Sequence, residues 1–361
     1  MKVALVSCAN GFGHLKRSIR ILHPLIDRSP IKAVTLFCDE RAGQEIDRWR
    51  EYLLVRERCS LRIVPVSLPV RWNPNREYYG EWLLNWHTTM RTWRLEDFDY
   101  VLSDNLVEPL LYSDRVTLSG SFFWHDVLFS AFAGMDVMER YMSWCGGILA
   151  SVRPHVIANR HFVTPAVTEQ VNVHKIGFIH FCGAREVRQA KLPTRVLIAL
   201  GSAQGADGAV DKIAHAIRVM HAAGMEIFLP AALFAALGTR CPGTQPFDFW
   251  HDNFDLADLA IIRGGLGTIS DCIAAKVPML YVDDPNPEIR FNQTRLSKMG
   301  IGLPLDKVLD ETSDILTDPS VYRGMLWKMR GLELQGHIEA AKILAKIWEF
   351  NCGAKGWSTS T

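Results

Sequence analysis

The fold class this 361-residue sequence predicts is α/β, with two doubly wound, parallel-sheet halves. Three observations predict it. Short, continuous apolar runs alternate with helical stretches, the mark of parallel strands buried on both faces. That rhythm weakens near residues 153–190 and restarts at 194. Each half also sets a small-residue turn directly after its first strand, where such sheets keep their ligand crevice.

The elements follow in order. In the first half, Met1–Ser7 is an apolar strand, and Leu15–Leu25 has helical spacing with Leu15, Ile19, Leu22 and Ile26 on one face. Further strands are AVTLFCD (33–39), LRIVPV (61–66), FDYVLSDN (98–105) and RVTLSGSFF (115–123), then the shorter HVIAN (155–159) and VHKIGFI (173–179). The polar, proline-ended GAREVRQAKLP (183–193) reads as a linker. The second half gives TRVLIALGS (194–202), a helix over 209–223, MEIFLP (225–230), a short helix, DLAIIRGG (258–265), a helix over 268–275 and VPMLYVD (277–283). The expected domains are 1–185 and 193–331, with a helix over 332–350 packing back across both.

Composition bounds the function. Hydrophobic residues make up 48%, charged residues 22%, and net charge is +1, so no bulk electrostatic argument favours nucleic acid. No apolar run reaches the roughly 18–20 residues of a membrane helix. The first strand runs into glycines rather than a cleavage site. A cytoplasmic location is expected. The eight cysteines, at 8, 38, 59, 145, 182, 241, 272 and 352, form no C-x-x-C pair and read as small buried hydrophobes rather than a disulfide or zinc framework.

Chemistry concentrates at the turns. In SCANGFGH, Gly11 and Gly13 allow close backbone approach to a ligand, flanked by Asn10 and Phe12. The following helix offers free N–H groups to an anion. The stretch is not G-x-G-x-x-G, because Lys16 takes the third glycine's place, and no dinucleotide cofactor is expected. His14 can take a proton from a hydroxyl near neutral pH, or bond a loop carbonyl at the helix start. Asp104, closing its strand, is an alternative base, a partner for His14, or a loop cap. Arg17 pairs with a carboxylate or faces water.

The second half adds LIALGSAQGADGAV (197–210), where Ser202 and Gly205 suit a phosphate, and ADLAIIRGGLGTISDCIAAKVPML (257–280). There Gly264, Gly265 and Gly267 permit close approach, Thr268 can cap the helix, and Asp271 can reach the two hydroxyls of a ribose. Arg263 adds a cation to a diphosphate or faces away. Phe247, Phe249 and Trp250 are candidate base supports or core.

These stretches resemble a known family. LGSAQGA is similar to the GGSQGA loop of the lipid II N-acetylglucosaminyltransferases (MurG, glycosyltransferase family 28), and residues 257–282 resemble that family's A-D…R-x-G…P signature. NGFGHLKR resembles its glycine–histidine turn, and also the G-x-G-H-x-x-R turn of the nucleotide-sugar hydrolases of pseudaminic acid synthesis (PseG). The likeness covers the first 25 residues and about 195–300, and is poor across 40–190.

It implies a GT-B architecture, two Rossmann-like domains facing a cleft. The first would bind the acceptor and the second a nucleotide-sugar, usually UDP-linked, with inversion and without a catalytic metal. The chain fits metal independence, since it has no D-x-D at a strand end and no clustered histidines. Asp271 stands where the family has glutamate. The sugar-reading loop falls on Glu288 and Ile289 in one register, and on Asn292 and Gln293 in the other.

The aromatic run WNPNREYYGEWLLNWHTTMRTW (72–93), flanked by Arg48, Arg50, Arg56, Arg58 and Arg62, reads either as core beside a solvated face or as machinery for a sugar or lipid-linked acceptor at a membrane's inner face. Three functions stay open: glycosyltransferase, nucleotide-sugar hydrolase with water as acceptor, and non-catalytic nucleotide-sugar binding.

Overall fold

The computed structural model describes residues 1–180, 192–201, 210–237, 240–248, 254–309 and 314–353. The chain divides into two units, Met1–Phe181 with Gln335–Thr361, and Cys182–Leu334.

The first unit carries seven strands: β1 (Lys2–Ser7), β2 (Ala33–Cys38), β3 (Ser60–Pro65), β4 (Tyr100–Asp104), β5 (Val116–Ser119), β6 (His155–Asn159) and β7 (Asn172–Ile176). Their spatial order is β3-β2-β1-β4-β5-β6-β7, and every pairing is parallel. The central strands β1 and β4 are buried along nearly their whole length, as their unbroken apolar runs require. Their register sets Ser7 opposite Asp104, so both strands end at the same level.

The aromatic run belongs to this unit's core. Trp72, Tyr79, Trp86 and Trp93 are buried in it, and Phe37 stacks on Trp93 with centroids 5.1 Å apart. Arg48, Arg56 and Arg58 pair with Glu45, Asp47 and Asp27.

Two boundaries differ from the sequence reading. The first helix spans Phe12–Ile26, three residues earlier than expected, with Gly11 as its N-cap at φ 85°. Gly13 is therefore a helical residue rather than part of the turn. The last helix begins at Gly336, not 332, because the chain first pairs Gln335 with Ile179, and a Cβ at 336 would collide with the Gly177 carbonyl. This helix packs on the first helix and β7. Trp348 stacks on Tyr100 at 4.5 Å between centroids, and Glu339 accepts from Arg160 (3.1 Å) and the Gly177 amide (2.9 Å).

The second unit has six strands: β8 (Arg195–Ala199), β9 (Glu226–Pro230), β10 (Gln245–Phe247), β11 (Leu259–Ile262), β12 (Met279–Tyr281) and β13 (Gly302–Pro304). They run parallel in the order β10-β9-β8-β11-β12-β13. Asp258 ties the start of β8 to that of β11, accepting from Thr194 Oγ1 at 2.9 Å and pairing with Arg195 at 3.0 Å. Among the described residues six cysteines are free thiols, five of them buried.

Candidate functional site

In the first unit the chemistry gathers where β1, β4 and β5 end. The tight turn after β1, closed by Gly11 N–H on the Ala9 carbonyl at 3.0 Å, starts the helix so early that His14 falls in its first turn. His14 Nδ1 lies 2.7 Å from Asp104 Oδ1. One helical turn on, Arg17 donates from Nε to Asp104 Oδ2 at 2.7 Å and from Nη2 to Oδ1 at 2.6 Å, and Nη2 sits 3.1 Å from His14 Nδ1. Ser119 Oγ donates to Oδ2 at 3.3 Å. Asp104 is fully buried with donors on both oxygens, and both His14 and Arg17 pair with it.

The supporting loops are tightly specified. Gly120 has φ 148°, and a Cβ there would overlap the Asn105 amide, which in its swapped orientation donates to the Ser119 and Phe122 carbonyls at 3.2 Å. The Phe122 ring meets the His14 imidazole edge-on at 6.2 Å.

Electrostatics follow from this packing. Burial opposes a charge on Asp104, but Arg17 and His14 outweigh it and hold the carboxyl below its usual range. Burial likewise opposes a charge on His14, yet Cys8 and Asp104 together push its pKa up to about 10. Sequence reasoning gave Cys8 no role beyond packing. The signal was its place directly after β1, one residue past Ser7, which stands opposite Asp104.

Two other candidates serve the turn itself. Asn10 Oδ1 accepts from the Trp72 amide at 3.4 Å, and Phe12 packs edge-on against Trp49 at 6.1 Å.

In the second unit β11 leads through Arg263 and Gly264 into the helix Leu266–Ala275. Gly264 has φ 121°, with the Gln293 Cγ only 3.2 Å from where its Cβ would stand, so only glycine fits. The N-cap is Gly265, not Thr268, which lies inside the first turn with Gly267. No side chain caps this helix start, so its dipole end suits an anion. Asp271 follows one turn in, half-buried.

Arg263 faces Asp284. Buried, it forms a fork with Asp284, its Nη2 3.2 Å from Oδ1 and its Nε on Oδ2. Asp284 also accepts from the Asn286 amide at 2.8 Å.

The residues expected to read the sugar lie in the helix Pro287–Met299, and both registers fall on its buried face. Asn292 Nδ2 donates to the Gly264 carbonyl (3.0 Å) and to Glu288 Oε1 (2.8 Å). Gln293 Nε2 donates to the carbonyls of Arg263 (2.7 Å) and Val282 (2.6 Å). These donors hold the glycine loop in shape. Phe247 is core, edge-on to Phe254 at 5.9 Å. Ser202, Gly205, Phe249 and Trp250 lie outside the described residues.

No protein-family model matches the chain. Curated relatives do. The UDP-N-acetylglucosamine–N-acetylmuramyl-(pentapeptide) pyrophosphoryl-undecaprenol N-acetylglucosamine transferase of Corynebacterium glutamicum is 34% identical over 130 residues, 32% of this chain and 34% of the relative. The same-named protein of a Mycobacterium species is 31% identical over 170 residues, 42% of this chain and 45% of the relative. The chain thus spans less than half the length of the curated relatives it matches.

Among solved structures, the glycotransferase of kitacinnamycin aligns over 96% of this chain and 98% of its own, at TM-score 0.65 and 16% identity. No helix among the described residues is long and apolar enough to cross a membrane. The chain resembles the lipid II N-acetylglucosaminyltransferases in sequence, and its fold is the two-Rossmann-unit α/β fold of the GT-B glycosyltransferases.

Proposed function

We propose that the chain is a cytoplasmic glycosyltransferase that moves a sugar from a nucleotide-sugar, UDP-linked, to a hydroxyl of a sugar or lipid-linked acceptor. The observation that carries this reading is the buried His14–Asp104 pair, 2.7 Å apart at the strand ends of a glycosyltransferase fold. The relatives' names supply the donor and acceptor classes, a UDP-sugar and a pyrophosphoryl-undecaprenol.

The chemistry needs three things from the chain. The acceptor oxygen attacks the anomeric carbon as the bond to the diphosphate breaks, which inverts the centre. His14 takes the acceptor's proton through the nitrogen that Asp104 leaves free, and Asp104 fixes the ring's orientation. Charge growing on the departing diphosphate is met by the N–H groups and dipole of the helix Leu266–Ala275, with no metal step. Asp271 accepts from the ribose hydroxyls.

The test is turnover on UDP-, GDP- and CMP-sugars, with and without an acceptor panel, alongside UDP calorimetry. His14→Ala should lower turnover by about 10²–10⁴-fold and leave UDP affinity intact. Asp271→Ala should weaken UDP binding by about 1–3 kcal/mol. Fast sugar release without acceptor would make water the acceptor and the protein a hydrolase. Binding without turnover across the panel would make it a binding protein.

A further inference from the structure

The cluster around His14 contains one group that proton transfer does not use. Cys8 Sγ, a ring nitrogen of His14 and a carboxylate oxygen of Asp104 all lie within 4.8 Å of one another. Cys8 and Asp104 are buried, and the His14 side chain is 11% exposed. Thiolate, imidazole and carboxylate together match a borderline-soft cation of the Zn²⁺ class. Mg²⁺ and Ca²⁺ prefer oxygen alone. Around an ion bound at about 2.0–2.3 Å, donors stand roughly 3.3–3.8 Å apart, so His14 and Asp104, now 2.7 Å apart, part by about half an ångström and Cys8 closes by about 1.5 Å at most.

We propose that Cys8, His14 and Asp104 form an inhibitory binding site for a Zn²⁺-class cation. The inhibitory part rests on His14 being the proton acceptor, because an ion on the nitrogen that faces Asp104 leaves the ring's one proton on the other nitrogen, which then has no lone pair for the acceptor's proton. Binding displaces the proton of the Cys8 thiol and any proton on that His14 nitrogen, with no change of oxidation state.

Arg17 sets the strength of this site. Its Nη2 stands 2.6 Å from Asp104 Oδ1 and 3.1 Å from His14 Nδ1, and therefore competes with the ion for Oδ1. Its Nε bond to Oδ2 can persist while the ion is bound. A guanidinium this close repels a dication, which makes the site reversible rather than structural.

Co²⁺ titration of the full chain tests the site directly, since thiolate ligation gives a near-ultraviolet charge-transfer band. The expected result is a band saturating near one equivalent and reversed by Zn²⁺. It should vanish in Cys8→Ser and weaken about tenfold or more in Asp104→Asn. In Arg17→Gln binding should tighten, the opposite direction from the other two variants. No band in the wild-type chain overturns the proposal. So does a band that survives Cys8→Ser, which would come from another of the eight cysteines. Weaker binding in Arg17→Gln that keeps its native circular dichroism does the same. Zn²⁺ should also lower turnover of the wild-type chain more than that of Cys8→Ser, and binding without inhibition would remove the inhibitory role. The Co²⁺ band needs no activity, so failure of the transferase reading and failure of the metal site are read separately.

Discussion

Arg17 and Asp104 form a two-pronged ion pair, Nε to Oδ2 at 2.7 Å and Nη2 to Oδ1 at 2.6 Å, with the carboxylate fully buried. Lysine offers a point charge and cannot reproduce the fork. Arg17→Lys should lower turnover by about tenfold with UDP affinity unchanged. Arg17→Ala leaves a buried carboxylate with His14 as its only cation and should cost about 3 kcal/mol of stability. Urea midpoints alongside kcat check both, and an Arg17→Ala chain with wild-type stability and kcat would reduce the fork to a surface ornament.

The raised pKa of His14 fixes the sign of a pH profile. With the pKa pushed up to about 10, the neutral ring is the minor form at neutral pH, and turnover through a His14 base should climb with pH toward that value. Burial works against a charge on the ring, and Cys8 and Asp104 outweigh it. Cys8→Ser should therefore move the climb to lower pH. Turnover that falls as pH rises would mark the imidazolium as the working form.

Arg263 gives the opposite kind of prediction from a binding residue. Its fork on Asp284 is buried, so Arg263→Ala strands a carboxylate and should destabilise the second unit by about 3–5 kcal/mol. The protein that stays folded should bind UDP as before, measured by calorimetry. Loss of UDP affinity at unchanged stability would restore Arg263 to the diphosphate.

His125 should govern part of the acid limb of stability. It is fully buried, and burial pushes its pKa down to about 3, with the Gln170 side chain pulling weakly the other way. Below the ordinary value of 6.5 the unfolded chain binds a proton that the native ring refuses, so native stability is lost as pH falls from there toward about 3. The neighbouring Asp126, raised to about 6 by burial, works in the opposite direction. The difference between His125→Leu and wild type isolates the ring. It should favour the variant by about 1.4 kcal/mol more for each pH unit lost. A pH-independent difference in urea titrations would contradict the buried neutral ring.

The sequence carried much of this legibly, and its gaps have physical causes. Continuous apolar runs such as Lys2–Ser7 and Leu259–Ile262 announce parallel strands, because burial on both faces removes polar alternation. His14 stood out because it follows a glycine turn. Arg17 was open to a carboxylate, but not to which one, since Asp104 lies 87 positions on and meets it through the β1–β4 register; Cys8 gave no signal of its own. Arg263, Asn292 and Gln293 read as ligand contacts; that Arg263 forks onto Asp284 and that the two amides donate to loop carbonyls is set by tertiary packing the sequence does not show. Thr268 looked like a cap because Gly265, having no side chain, gives no capping signal.

The last helix returns to the first unit, so Cys182–Leu334 is an insertion within a split domain. During synthesis the inserted unit is contiguous and can close on itself first. The first unit's sheet, made before it, must wait, with the face around Tyr100 uncovered, until Trp348 has been made. The half of the chain that holds His14 and Asp104 is therefore the last to be finished.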